Sequence, residues 1–343
     1  MAGYPASSNT FIPSHEASGK LQIEFSRNPK RFSLNQYVHI VPVKQDTGYY
    51  LNITAEQAAR MTDSSGRDKD WHDGAEAPTG DAETESFTWV PFTTARKAYP
   101  VQLGNKAVQQ ATWDIMATHS RIQAQRAMTY RTQLAVTQLA TAGNWGDNTS
   151  TATALVGGTL ASSTSTVMYI KEAIQKVGIA IEKATLSTVD PDRDIMMVMN
   201  PNTATQISRS QEMVDFLKQS PAALAQVMGN IPLQTGKRGL PDILYGMNIV
   251  VENAVKVTSQ KGATAVRDYI MADGDIIFTS RPEGLEGSEG VPIFSTITLF
   301  VFEDMTVESK FDPDNRRTSV RVVDDFVAKV TASASGYLLT GCV

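Results

Sequence analysis

NKAVQQATWDIMATHSRIQAQRAMTYRTQLAVTQLATA, residues 105–142, contains neither glycine nor proline, and good helix formers (alanine, glutamine, arginine, methionine, leucine) dominate it. Gly104 and Asn105 mark its start, Gly143 and Asn144 its stop. Val108, Ala111, Ile115, Ile122, Leu134 and Leu139 fall on a stripe of helical spacing, with Arg121, Arg126 and Arg131 interspersed. Unbroken, the run predicts a helix of roughly 38 residues, about 57 Å long and longer than a small domain is wide. Such a helix is a strut. The alternative is two helices with a kink near His119.

Upstream of the strut, apolar residues thin out. Residues 1–36 are polar and rich in Ser, Asn and Pro, with isolated Phe11, Ile12, Leu21, Ile23 and Phe25. A segment of this kind cannot offset its ordering entropy with a private core, so it is disordered or lies against something else. Arg27, Lys30 and Arg31, beside Pro29, suit a solvated turn or a phosphate contact. Residues 37–43 and 49–53 read as strands, with turn chemistry from Asp46, Thr47 and Gly48 between them, and residues 55–61 carry a short helical pattern. Residues 62–86 are dense in Asp, Glu, Ser and Gly, with Trp71 as their only large apolar side chain, before strand composition returns over 87–92 and 95–101. A polar excursion of that length is uncommon inside a compact domain, so residues 37–99 read as a projecting arm.

Downstream, residues 148–166 form a Ser, Thr and Gly-rich linker around Gly157 and Gly158. An amphipathic helix follows over 167–184, with Ile170, Ile174, Val177 and Ile181 on one face. A buried strand is expected at 194–199 and is closed by Pro201; helical patterns cover 203–217 and 221–228, and strands 246–251, 269–271 and 276–278. This alternation predicts a small α/β lobe. Two long β-rich runs, 293–311 and 318–331, are joined by Asp312, Pro313, Asp314 and Asn315, which are hairpin turn residues. The pair is expected to lie along the strut.

The formal net charge of -5 argues against a protein whose main work is gripping nucleic acid. The single cysteine, Cys342, excludes an intrachain disulfide and a Cys-based zinc site. No basic and apolar leader opens the sequence, and the longest apolar stretch, 291–302, is interrupted by Ser295, Thr296 and Thr298. A soluble protein made in the cytoplasm is expected, without membrane contact.

Catalytic patterns fail one by one. His15, His39, His72 and His119 lack chelating spacing. Gly287-Ser288-Glu289-Gly290 lacks the first glycine of a nucleophile elbow, and Lys237 after Gly236 lacks the glycine of a phosphate loop. Asp190, Asp192 and Asp194 open like a calcium loop, but Ile195 and Pro201 stand where its glycine and glutamate belong. No catalytic residue, metal or cofactor is assigned. Trp89 and Trp113 sit in regular elements and are expected to be packed, whereas Trp71 has no local apolar cover and is the best candidate for a contact with a neighbouring subunit.

The order of parts (arm, projecting two-stranded loop, strut helix, α/β lobe, long returning hairpin) resembles the major capsid proteins of tailed bacteriophages with the HK97-type fold, an α+β class. Met199-Asn200-Pro201, Gly246-Met247-Asn248-Ile249-Val250-Val251, Phe302-Glu303-Asp304, Arg317, Arg321 and Val330-Thr331-Ala332 are similar to short motifs of that family. The resemblance implies an N-terminal arm at 1–36, an E-loop at 37–100, the spine helix of the P-domain at 101–150, an A-domain at 151–290 and the P-domain hairpin with the C-terminus at 291–343. It further implies hexamers and pentamers in an icosahedral or prolate shell around double-stranded DNA, touched weakly and without sequence preference. Because no long charged coiled stretch precedes the arm, either a separate scaffolding protein or prior removal of such a segment is expected; portal and decoration or cement proteins are further partners. Subunit contacts would fall at Trp71, Lys69, Arg27, Lys30, Arg31, Gln234, Lys237, Arg238, Tyr245, Arg317 and Arg321. Lys69 stands at a plausible place for an isopeptide crosslink, but no crosslink is expected. The competing readings are an encapsulin-like compartment, a tail or decoration protein, and an enzyme with its site in the α/β lobe.

Overall fold

The computed structural model describes residues 32–52, 73, 88–111, 114–219, 238–260, 262–281 and 295–343. In chain order, α1 (Leu34–Tyr37) leads into β1 (His39–Pro42), β2 (Thr47–Asn52), β3 (Thr88–Thr93) and β4 (Ala95–Gly104), followed by α2 (Asn105–Gln110) and α3 (Ile115–Ala140). A second group comprises β5 (Thr149–Thr151), α4 (Ala152–Val156), α5 (Tyr169–Ala184), β6 (Ile195–Met199), α6 (Pro201–Ser208) and α7 (Gln211–Gln219). Then come β7 (Ile243–Leu244), β8 (Met247–Val251), β9 (Val255–Val257), β10 (Arg267–Tyr269) and β11 (Ile276–Ser280). The chain closes with β12 (Ile297–Asp312), β13 (Arg317–Val330) and β14 (Tyr337–Thr340).

Two main sheets result, one in the order β1-β12-β13-β4 and one in the order β5-β14-β11-β6-β8-β7, with β2-β3 and β9-β10 as separate ribbons. Side chains alternate across a strand, so the six-stranded sheet buries both faces. Met197, Met199, Ile249, Ile276 and Phe278 share one apolar cluster with Ile170, Ile174 and Ile181 of α5. Val198, Val250, Ile277 and Leu338 point the other way, into a second cluster with Leu139, Trp145, Ile297, Leu299 and Phe326. That second cluster joins the lobes. It also explains Gly336, where an added Cβ would lie 2.6 Å from the Phe278 carbonyl oxygen and 2.6 Å from the Trp145 ring.

The strut is broken earlier than its sequence predicts. Ala111 is extended (φ -72°, ψ 138°), and Asp114 restarts the helix by accepting from the Ala117 N–H at 2.9 Å. Asp114 is the only carboxylate in residues 105–142, and a carboxylate accepting from the N–H three residues on is the pattern that opens a helix. The remaining 26-residue helix is about 39 Å long. Its buried face is Gln123, Ala127, Arg131, Ala135 and Leu139, so of the expected stripe only Leu139 is fully covered.

Four further expectations change. Residues 37–53 do not form a hairpin: β1 pairs in parallel with β12, and β2 pairs with β3. The 148–166 linker is part of the second lobe, because Ala152, Val156 and Leu160 recur every fourth residue and enter its core, with Leu155 packed against it. The 203–217 helix is two helices, α6 and α7, separated at Arg209 and Ser210. The C-terminus leaves the hairpin at Thr331, and β14 adds to the six-stranded sheet between β5 and β11. The long hairpin itself and strand β6 lie where the sequence places them.

Candidate functional site

The chemistry-bearing parts gather around the long hairpin. In an antiparallel ribbon, paired residues share a face, so β2-β3 sorts Gly48, Tyr50, Val90 and Phe92 to one side, and Tyr49, Pro91 and Trp89 to the other. The first side sits on the body. Phe92 stacks on Phe300 of β12 with centroids 4.2 Å apart, and Tyr50 stacks on the same ring at 5.8 Å. Gly48 is required there, since an added Cβ would meet the Phe92 ring at 2.7 Å. The second side faces outward, with Tyr49 69% and Trp89 62% exposed. Trp89 is therefore not packed, contrary to its sequence reading; a half-covered ribbon leaves alternate residues bare. Among the described residues the packed tryptophan is Trp145, whose Nε1–H donates to the Leu139 carbonyl at 2.7 Å.

The segment that precedes this ribbon is clamped at its root. Ser33 donates to the fully buried Glu252 carboxylate at 2.5 Å and Tyr37 donates at 3.1 Å, while Glu252 also accepts from the Ala254 N–H at 2.9 Å. Arg281 holds the Asn35 carbonyl. Burial, reinforced by the Glu252 charge, pushes the Tyr37 hydroxyl well above the usual tyrosine range, so it remains a donor. Residues 32–36, expected to belong to a free arm, are thus fixed to their own chain.

A third feature ties helix to hairpin. Arg131 on α3 is 7% exposed at its side chain and makes a two-pronged pair with the buried Asp324 of β13, at 3.1 and 2.5 Å. It also reaches Asp304 of β12 at 2.9 Å, and its guanidinium lies 5.2 Å from the Phe326 ring centroid. Burial raises the Asp324 carboxyl despite the opposing pull of Arg131. Burial acts on Asp304 in the same direction, but the Arg131 hydrogen bond and charge, with the Met305 N–H, leave it lowered. We attribute the difference to depth: the Asp304 side chain is 78% exposed, that of Asp324 not at all. The pairing of β12 with β13 shifts register twice between Val301 and Thr306, so Asp304 lies within an irregular stretch of β12.

The expected contact residues divide. Trp71, Lys69, Arg27, Lys30, Arg31, Gln234 and Lys237 lie outside the described residues, as do Trp113 and the 221–228 helix. Arg238 is exposed in a left-handed turn (φ 54°). Tyr245, also left-handed (φ 49°), donates to Glu212 at 3.0 Å and packs edge-on against Phe216, while Glu212 caps α5 through the Ile170 and Lys171 N–H groups. Arg317 braces the hairpin turn through Asp312 at 3.0 Å and Gln102 at 2.8 Å, and Arg321 pairs with Glu308 across the strands. Arg317 and Arg321 share one face of β13, and Arg238 and Tyr245 flank β7; the two pairs belong to different sheets. The sequence reading passed over Glu252 and Asp324, and named Asp304 only within a family-like motif. The available signal was a carboxylate inside an apolar run, as in Val322-Val323-Asp324-Asp325-Phe326.

Among the described residues, no group of three His, Cys, Asp or Glu side chains could hold a metal ion. None of their helices is long and apolar enough to cross a membrane.

No protein-family model matches the sequence, and no curated protein matches it. Solved structures do. A phage-related protein of Bordetella bronchiseptica superposes with a TM-score of 0.59 at 12% identity over 92% of this chain and 94% of its own. The capsid of cyanophage P-SCSP1u gives 0.58 at 10% identity over 94% and 91%, and the capsid of a native gene transfer agent particle gives 0.53 at 12% over 99% and 100%. The fold is the α+β, HK97-type capsid fold that the order of parts predicted.

Proposed function

We propose that this chain is the structural subunit of a phage-type shell, assembling into hexamers and pentamers around double-stranded DNA. The observation that carries this is the ribbon β2-β3, which covers one face on Phe300 and leaves Tyr49 and Trp89 bare on the other. A monomer gains nothing from that arrangement. Aromatic side chains are favoured at protein interfaces, and a neighbouring copy is the cover that the fold makes available. The likeness to capsid structures along nearly the whole chain supports the same reading.

In this reading the part of the expected E-loop outside the body sheet, residues 43–94, lies over an adjacent subunit, since β1 and β4 pair with β12 and β13 of their own chain; residues 1–31 reach another, and the 234–245 region around Arg238 meets its equivalents at a local symmetry axis. Trp71 and Lys69 belong to the first contact, Arg27, Lys30 and Arg31 to the second, Gln234, Lys237 and Tyr245 to the third. The chain has no catalytic role and acts in the virion, with a scaffolding protein, a portal and decoration or cement proteins as partners. With a net charge of -5, contact with DNA is weak and general. Sedimentation of the purified protein over a range of concentrations tests this. Cooperative conversion to one large species, lost in Trp89→Ala, is expected; a monomer or dimer at every concentration would overturn it.

A further inference from the structure

Helix α5 closes with a regular cap on an irregular choice of residue. The Ser187 N–H donates to the Glu182 carbonyl at 2.8 Å and the Leu186 N–H to the Lys183 carbonyl at 3.4 Å, a paired closure that sets Leu186 in the left-handed region (φ 52°). Glycine is the common residue at that position, because a Cβ is crowded there. Leu186 bears the backbone cost and is also 42% exposed. Together with Ile179, 51% exposed, and the exposed Glu182, it follows a spacing of i, i+3 and i+7, which places a carboxylate between two bare aliphatic side chains.

The β9-β10 ribbon carries the counterpart. Val255 pairs with Tyr269 and Val257 with Arg267, so these four share one face. On that face Val255 and Val257 are 42% and 59% exposed, beside the exposed Arg267. Residues 255–269 hold Lys256, Lys261 and Arg267 against Asp268, whereas residues 182–194 hold Glu182, Asp190, Asp192 and Asp194 against Lys183 and Arg193. The two patches are opposite in charge and alike in their bare aliphatic side chains.

We propose that the β9-β10 face of one copy seats on the α5 stripe of a second copy, with Arg267 on Glu182 and Val255 and Val257 against Ile179 and Leu186. This rests on the shell-forming reading above and assigns one contact within its rings. A single copy cannot make it. Helix α5 packs on one face of the six-stranded sheet through Ile170, Ile174 and Ile181, while Ala254 and Ile270 root the ribbon in the cluster on the other face. A contact between two different patches is head-to-tail, and with a closing rotation it repeats into a ring. It also gives Leu186 its reason: glycine would relieve the backbone and lose the contact.

The test assembles Leu186→Cys subunits with Val257→Cys subunits under mild oxidation, the native Cys342 being buried. A linked dimer is expected on a non-reducing gel of the mixture and in neither variant alone. The double variant Leu186→Cys/Val257→Cys gives a ladder beyond the dimer, as a head-to-tail contact requires; a ladder that stops at the dimer, or links within single chains, overturns the proposal. Glu182→Arg and Arg267→Glu each raise the protein concentration needed for assembly by about threefold, the order of one exposed ion pair, and a chain carrying both returns to the wild-type value. Leu186→Gly raises the urea midpoint of the unassembled subunit yet also raises that concentration; assembly at the wild-type concentration overturns the proposal. Particles that form without the crosslink sink this contact alone, whereas wild-type subunits that form no particle at any concentration sink the shell reading and this contact with it.

Discussion

Replacing Arg131 by Met keeps an unbranched side chain over Phe326 but strands a carboxylate, because the Asp324 side chain has no exposure and Arg131 supplies both of its close hydrogen bonds. Breaking a buried pair from one side typically costs about 3–5 kcal/mol. The same figure follows from proton uptake: keeping a carboxylate of ordinary pKa near 3.9 neutral at pH 7 costs about 4 kcal/mol, at about 1.4 kcal/mol per pH unit. Burial already raises Asp324, and Arg131 opposes it. Without Arg131 the folded state holds a proton that the unfolded state releases above about pH 4, so stability falls as pH rises through that window. The expected loss is therefore about 4 kcal/mol at pH 7 and about 1 kcal/mol at pH 4.5, read from urea denaturation of the unassembled subunit followed by far-ultraviolet circular dichroism. Adding Asp324→Asn recovers at least half of the loss at pH 7 and almost none at pH 4.5. A loss that is equal at the two pH values, or below about 1 kcal/mol at pH 7, would refute the reasoning.

Three more outcomes follow from packing. Glu252→Ala leaves the Ser33 and Tyr37 hydroxyls and the Ala254 N–H without their acceptor; about 3 kcal/mol of stability should be lost, with faster limited proteolysis near residue 32. Gly336→Ala forces a Cβ against the Phe278 carbonyl and Trp145; a loss of about 2–3 kcal/mol is expected as a lower melting temperature. Trp89→Ala, on an exposed side chain, leaves subunit stability within about 0.5 kcal/mol but removes assembly, so denaturation and sedimentation should diverge in this variant alone.

The parts of the fold that were legible in the sequence rest on local patterns. An uninterrupted apolar run such as Ile195–Met199 can only be buried on both faces, and two long β-rich runs around Asp312, Pro313, Asp314 and Asn315 form the hairpin whose turn those residues favour. Non-local pairing was not legible. Nothing in His39–Pro42 announces Thr298 as its neighbour, and nothing in Tyr337–Thr340 announces β11, because a strand's own composition does not name its partner. The helix break at residues 111–114 hid behind good helix formers, with Asp114 as the one clue. For the candidate site the same division holds. Strand composition at 49–53 and 87–92 was legible, but not that these two segments pair with each other, and which face of their ribbon is bare depends on Phe300, some 200 residues further on. Arg131 was visible among helix residues, while its role depends on Asp304 and Asp324 arriving from the hairpin.

Electron cryomicroscopy of particles grown from the purified chain bears most directly on whether copies must complete one another. The expected map is a closed shell of repeated rings in which the face bearing Tyr49 and Trp89 is covered by an adjacent subunit. Discrete small oligomers, or a shell in which that face points into solvent, would contradict it.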